Sequence, residues 1–297
     1  MKHVRHVLIV GGVHGNELNG VYLVKTLEPQ RSPLGQSFLE RSHLTATTLL
    51  ANPEAIRLNR RYVDTDLNRC FDRDDLANPD LRLHEQQVAK QIYHHVQAQP
   101  IDFVVDLHTT TANMGLTLIL SSDHPLNVAI AAHLSTLSPL VKILLLSPQS
   151  ATNRLRGLCS LGFTLEAGAI AQGTLDARLF FESRRLLGET LDFWNRCNQG
   201  ERPTLPSEVT VYEHVQTLDF PRNADGEAIA MVHPDRQGQD YGAIAPSDPL
   251  FIGFDGSVIA YEGDEILHPI FIHESAYWEK GIAMYLAQKK TLPVSPF

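Results

Sequence analysis

The chain has 297 residues, 43% of them hydrophobic and 20% charged, which suits one large domain or a large one with a smaller companion and excludes a disordered chain. A formal net charge of -9 at pH 7 repels nucleic acid and acidic membrane surfaces, so neither is an expected partner. No apolar run reaches the roughly eighteen residues of a membrane helix, and Cys70, Cys159 and Cys197 form no C-x-x-C pair, which fits a reducing, cytoplasmic setting.

In chain order, the first apolar run is Val7 to Val10. It ends in Gly11-Gly12 and His14 without a small-residue cleavage site, so a strand is expected there rather than a secretory signal. Leu18, Val21, Val24 and Leu27 then recur at helical spacing. Strands are expected at Leu44 to Leu50, Phe103 to Leu107, Leu116 to Leu120, Val141 to Leu146 and Phe163 to Leu165. Val88, Ile92 and Val96 mark a helix over His84 to Gln97, and a longer helical pattern runs from Asp176 to Asn198. The alternation predicts an α/β architecture, helices covering a sheet. Gly200, Pro203 and Pro206 punctuate the next stretch and place a boundary between residues 1–200 and 201–297. Beyond it, short strands at Val209 to Tyr212, Ile229 to Val232, Phe251 to Phe254 and Val258 to Tyr261 predict a small β-rich domain.

The chemistry starts at Gly11-Gly-Val-His14-Gly-Asn-Glu17, between a strand and an amphipathic helix, where open α/β sheets place their sites. An imidazole and a carboxylate three residues apart converge on one ion if the segment turns helically, and His108, which ends the apolar strand Val104-Val-Asp106-Leu-His108, supplies a third ligand if its strand runs parallel to the first. Two histidines and a glutamate leave one position open, the catalytic zinc arrangement. H-x-x-E alone is a weak signal in a chain with 14 histidines; a capped helix start with a surface histidine is the bland alternative. A P-loop is excluded because Gly15-Asn16-Glu17 stands where Gly-Lys-Ser/Thr is required, and G-x-G-x-x-G is not met. Asp106 reads equally as a residue that orients a ligand or as a strand-end turn. The segment Asn59 to Arg69 is rich in arginine; it is either a solvated loop with internal Arg-Asp pairs or a carboxylate-binding element, with Asn68 adding an amide donor and Asp66 holding an arginine.

Four blocks, Gly11 to Gly20, Arg61 to Arg69, Asp106 to Gly115 and Glu274 to Lys280, together resemble the signature blocks of the aspartoacylase and succinylglutamate desuccinylase family, within the zinc carboxypeptidase-like superfamily. The resemblance implies a carboxypeptidase-like mixed sheet flanked by helices, a small C-terminal β domain that helps close the active site, and deacylation of N-acetyl-L-aspartate or a close relative. It implies one Zn2+ per subunit on His14, Glu17 and His108, with Arg61 polarising the acyl carbonyl and Glu166 as general base. Asn68 and Arg69 would bind the substrate carboxylate, Arg154 the side-chain carboxylate, and Tyr277 would reach in from the second domain. Ser150 stands where the family carries a tyrosine, and Arg154 and Glu166 are two residues farther apart than in the family's animal members, so Arg154 and Arg156 both stay open as the reader of the side-chain carboxylate.

The rivals are a deacylase of N-succinylglutamate or of N-acyl aromatic amino acids, a zinc carboxypeptidase, and a binding protein that kept the fold; within the deacylases the side-chain pocket decides, cationic for an acidic side chain and apolar for an aromatic one, and Arg154 favours the acidic one. A two-fold homodimer is the base-rate expectation for assembly.

Overall fold

The computed structural model describes residues 3–27, 38–146 and 153–295. Strand β1, His6–Gly11, is buried on both faces: Val7 and Ile9 enter one apolar core, Leu8 and Val10 another. Such a strand belongs in the middle of a sheet covered on both sides, and β1 pairs in parallel with β2 (Thr45–Leu50) and β3 (Phe103–Thr109). Next to β3, also parallel, lies β6 (Gly162–Gly168), followed by the antiparallel β4 (Gly115–Leu120) and then β5 (Val141–Leu145). The expected mixed sheet with flanking helices is thus present. Helix α1 (Leu18–Leu27) and the long α6 (Ala177–Asn198) cover one face through Leu23, Val24, Leu27, Leu187 and Leu191, and α4 (His84–Gln97) covers the other through Val88, Ile92 and Val96.

Three short elements gave no clear sequence pattern. Helix α2 (Pro53–Leu58) and helix α3 (Arg73–Ala77) are too brief to show a period, and α5 (Pro125–Ser135) is apolar nearly all round because it is almost wholly buried. The second half is β-rich, as expected, with β7 (Glu208–Leu218), β8 (Ala230–Val232), β9 (Pro249–Gly253), β10 (Val258–Ala260), β11 (His268–Ile270) and β12 (Met284–Pro293).

Among the described residues, β8, β9 and β10 alone form a separate sheet. Strand β7 pairs in parallel with β5, and β12 and β11 extend the same sheet, giving nine strands in the order β11-β12-β7-β5-β4-β6-β3-β1-β2. Strand β12 escaped the sequence reading because Gln288, Lys289, Lys290 and Thr291 break its apolar run. No helix among the described residues is long and apolar enough to cross a membrane.

Candidate active site

The carboxyl ends of β1, β3 and β6 lie side by side, with Gly11 paired to Leu107 and His108 to Glu166. Along β3 the inward face changes from Val104 to Asp106 to His108, apolar to ionisable, as the strand leaves the core. After β1 the chain turns at Gly12, whose φ of +71° suits glycine. It then passes so close to α2 that a Cβ on Gly15 would sit 2.1 Å from the Ala55 carbonyl carbon. These glycines bring His14 and Glu17 back over the strand ends.

His14, Glu17 and His108 are buried, and one donor atom of each lies within 4.8 Å of the others. His14 Nδ1 is 2.6 Å from Glu17 Oε1, His108 Nδ1 is 3.0 Å from Glu17 Oε2, and the two Nδ1 atoms are 3.2 Å apart. Each imidazole meets a carboxylate with its other nitrogen: His14 Nε2 to Asp66 Oδ1 at 3.0 Å and His108 Nε2 to Asp106 Oδ2 at 3.0 Å. The Asp66 hydrogen bond is of the kind that fixes the tautomer of a metal-binding histidine and raises its basicity, whereas the Asp106 contact, close as it is, lacks hydrogen-bond geometry. Despite burial, the His14 and His108 imidazoles hold the Glu17 carboxyl well below the usual range, and despite burial Asp106 and Glu17 raise His108 well above it. Two ring nitrogens aimed at each other beside a buried carboxylate fit a divalent ion, and nitrogen and oxygen donors suit zinc.

Glu166 lies on the same sheet face as His108, and burial pushes its carboxyl up to about 8, with Glu17 and Glu274 adding and His108 and Arg61 opposing. Arg61 donates from Nη1 to Glu17 Oε1 at 3.0 Å, sits 3.5 Å from Asp66, and has a buried Nε with no hydrogen-bond partner among the described residues. The loop that carries it is not the solvated alternative: the buried Glu85 carboxylate accepts the backbone N–H groups of Val63, Asp64 and Thr65. One cleft is lined by His14, Glu17, His108, Arg61, Asn68, Arg69, Arg154, Glu166 and Tyr277. Ser150 lies outside the described residues. Arg156 lines the cleft as well, so both arginines left open by the sequence reach it.

Three contributions were missed. Asp66 holds Arg61 at 3.5 Å, as expected, but its shorter contacts, to His14 Nε2 and to Lys280 Nζ at 2.7 Å, also make it orient a candidate ligand. Lys280 arrives from the second half of the chain. So does Glu274, 5% exposed, whose Oε2 accepts from the hydroxyls of Thr110 and Thr111 and from Thr111 N, while Oε1 accepts Ala276 N and caps the 3-10 turn Ser275–Lys280 that carries Tyr277. The Glu274-to-Lys280 block was visible as a motif, but its partners lie more than 160 residues away.

Residues 3–194 match the family model "Succinylglutamate desuccinylase/Aspartoacylase catalytic domain", and residues 207–289 match the AstE/AspA barrel-sandwich hybrid domain. The chain belongs to this family. A probable aspartoacylase of Acaryochloris marina is 44% identical over 98% of both chains. An N-acyl-aromatic-L-amino acid amidohydrolase (carboxylate-forming) of Danio rerio is 37% identical over 97% of this chain and 90% of its own. The crystal structure of murine aminoacylase 3 superposes with a TM-score of 0.92 at 34% identity, covering 100% of this chain and 99% of that one. By family the chain is an amidohydrolase of the kind that deacylates N-acyl amino acids.

Proposed function

We propose that this chain is a zinc-dependent amidohydrolase that removes the acyl group from a small anionic N-acyl amino acid, N-acetyl-L-aspartate to acetate and L-aspartate being the reaction its cleft fits best. The observation that carries the reading is the meeting, in one cleft, of a two-histidine, one-glutamate cluster, the half-buried Glu166 carboxylate and several arginines. His14, Glu17 and His108 would hold one Zn2+, which when bound supplies a Lewis acid and acidifies water.

The chain's own groups then divide the work. Glu166 takes the proton of the attacking water and returns it to the leaving amine nitrogen. The Arg61 guanidinium, held by Glu17 and Asp66, faces the charge that develops on the acyl oxygen. Arg69 and Arg154 lie close enough to repel, and burial first and Arg154 second lower the Arg69 pKa. Such a pair calls for anions, so Asn68 and Arg69 are assigned to the substrate α-carboxylate and Arg154 to the side-chain carboxylate. Tyr277, from the β-rich part at 201–297, closes the cleft over them. A cytoplasmic setting accompanies the reading, in keeping with Cys70, Cys159 and Cys197 forming no disulfide among the described residues.

A second reading, deacylation of N-acyl aromatic amino acids, draws on the mutually packed rings of Phe271, Tyr277 and Tyr285 on the cleft wall. Metal content and kcat/KM on N-acetyl-L-aspartate and N-acetyl-L-tyrosine, measured on one purified sample, decide between them. Zinc with preference for the aspartate compound is expected. Preference for the tyrosine compound overturns the anionic-substrate reading, and hydrolysis without metal overturns the zinc assignment.

A further inference from the structure

Arg156 lines the cleft and has no part in the reaction described above. It is 4% exposed; its Nε donates to Ser121 Oγ at 2.9 Å and its Nη1 to the Cys159 carbonyl oxygen at 3.4 Å. Among the described residues no carboxylate lies within 4.0 Å of it, and Asp106 acts on it only from farther away. A guanidinium stays charged when buried, and a buried charge without a close counter-ion is costly. Its Nη2 has no hydrogen-bond partner among the described residues, and Ser121, which accepts from Nε, keeps its own proton to donate. The face of the cleft there offers a planar donor edge and a hydroxyl, the pattern that receives a carboxylate.

Depth decides which carboxylate. Glu166 pairs with Thr117 across β6 and β4, and Ile119 pairs with Thr164 two residues further in, about 7 Å along the strand. Ser121 lies two residues beyond Ile119, about 13 Å from the Glu166 row before side-chain reach shortens the gap. Arg154 acts instead beside Arg69 and Tyr277. The two arginines therefore read different positions.

We infer that Arg156 and Ser121 form a second anion-reading position at the deep end of the cleft, which takes a substrate carboxylate carried on a longer arm than the aspartate side chain. The inference rests on the deacylase reading and adds to it the residue that sets arm length. The carboxylate has two sources, a glutamate-length side chain or the far end of a dicarboxylic acyl group.

The test is kcat/KM of the metal-loaded enzyme on N-acetyl-L-aspartate, N-acetyl-L-glutamate and N-succinyl-L-aspartate, for wild type, Arg156→Met and Ser121→Ala, with zinc content and thermal melts alongside. Arg156→Met is expected to lose about tenfold or more on a long-arm substrate and less than about threefold on N-acetyl-L-aspartate, with Ser121→Ala losing less in the same direction. Loss on the glutamate compound assigns the position to the side chain, and loss on the succinyl compound to the acyl arm. Equal losses on all three, or a fall in zinc content through Asp106 and His108, overturn it. Wild type that cleaves N-acetyl-L-aspartate but neither long-arm substrate overturns it alone, whereas wild type inactive on all three removes the deacylase reading beneath it. If Arg156→Met does not fold, Arg156→Lys, which keeps the charge but not the planar fork, carries the same comparison.

Discussion

Glu166→Gln keeps the shape of the side chain and removes its ability to accept a proton. The variant is expected to retain zinc, since His14, Glu17 and His108 are untouched, and to lose turnover by about a thousandfold; normal zinc content with near-normal turnover would remove Glu166 from the chemistry. A second carboxylate, Asp240, is informative about stability. It accepts the backbone N–H groups of Asn113 and Ile272, yet burial pushes it up to about 6. Its folded pKa lies above the ordinary carboxylate value, so the folded state binds the extra proton between about pH 4 and 6. Stability therefore falls as pH rises through that window, and the penalty is complete above it. Compared with Asp240→Asn, which cannot ionise, wild type should gain about 2 kcal/mol between pH 7 and pH 4.5. Urea unfolding of both proteins at the two pH values measures this, and a difference independent of pH refutes it. At this scale the sequence showed His14, Glu17 and His108 because each ends or follows a strand in a short motif. It could not show that Asp66 turns to His14, or that Arg156 is buried against Ser121, because those contacts depend on how distant segments pack.

The elements that build the site are held by backbone groups as much as by side chains. The loop from Thr110 to Met114 follows His108 directly, and carboxylates from the second half of the chain hold it: Glu274 takes Thr111 N and reaches Ala112 N, and Asp240 takes Asn113 N. Phe271 and His273, beside Glu274, have φ of 52° and 55°, a left-handed backbone that costs non-glycine residues free energy and persists only where neighbours enforce it. Glu274→Ala would leave buried N–H groups and two threonine hydroxyls without their acceptor, at a cost of about 3 kcal/mol. It would also uncap the turn that carries Tyr277. A fall in melting temperature of about 5 °C or more is expected, with a raised KM; an unchanged melting temperature would show that the loop holds itself. Strands β1 to β6 and helices α1, α4 and α6 were legible because each is long or apolar enough to show a period. Strands β11 and β12 were not, because one has three residues and the other passes from a short buried apolar run, Met284 to Ala287, into exposed polar residues with no alternation across the whole strand.

Across the whole molecule, the division at residue 200 separates two stretches of sequence more cleanly than two folded bodies. Strand β7 pairs Tyr212 and Glu213 with Leu144 and Leu145 of β5, so the first half's sheet continues into the second through main-chain hydrogen bonds. One apolar core is shared as well: Met114, Ile119, Leu144 and Leu146 pack in the same cluster as Tyr212, Ile270, Phe271, Tyr277 and Tyr285. Removing residues 201–297 would expose that cluster and leave β5 as an unpaired edge, the condition under which strands recruit other chains. It would also remove Lys280 from Asp66 and Glu274 from the loop after His108, so two supports of the candidate metal cluster would go together. A chain of residues 1–200 is therefore expected to melt without cooperativity or to associate, even though the family model for the catalytic part ends at residue 194. Circular dichroism on heating and size-exclusion chromatography of the truncated chain check this. A monomer with a sharp transition that still takes up zinc would show that the first half folds alone, and the second half would then be a cover for the cleft and not part of its foundation.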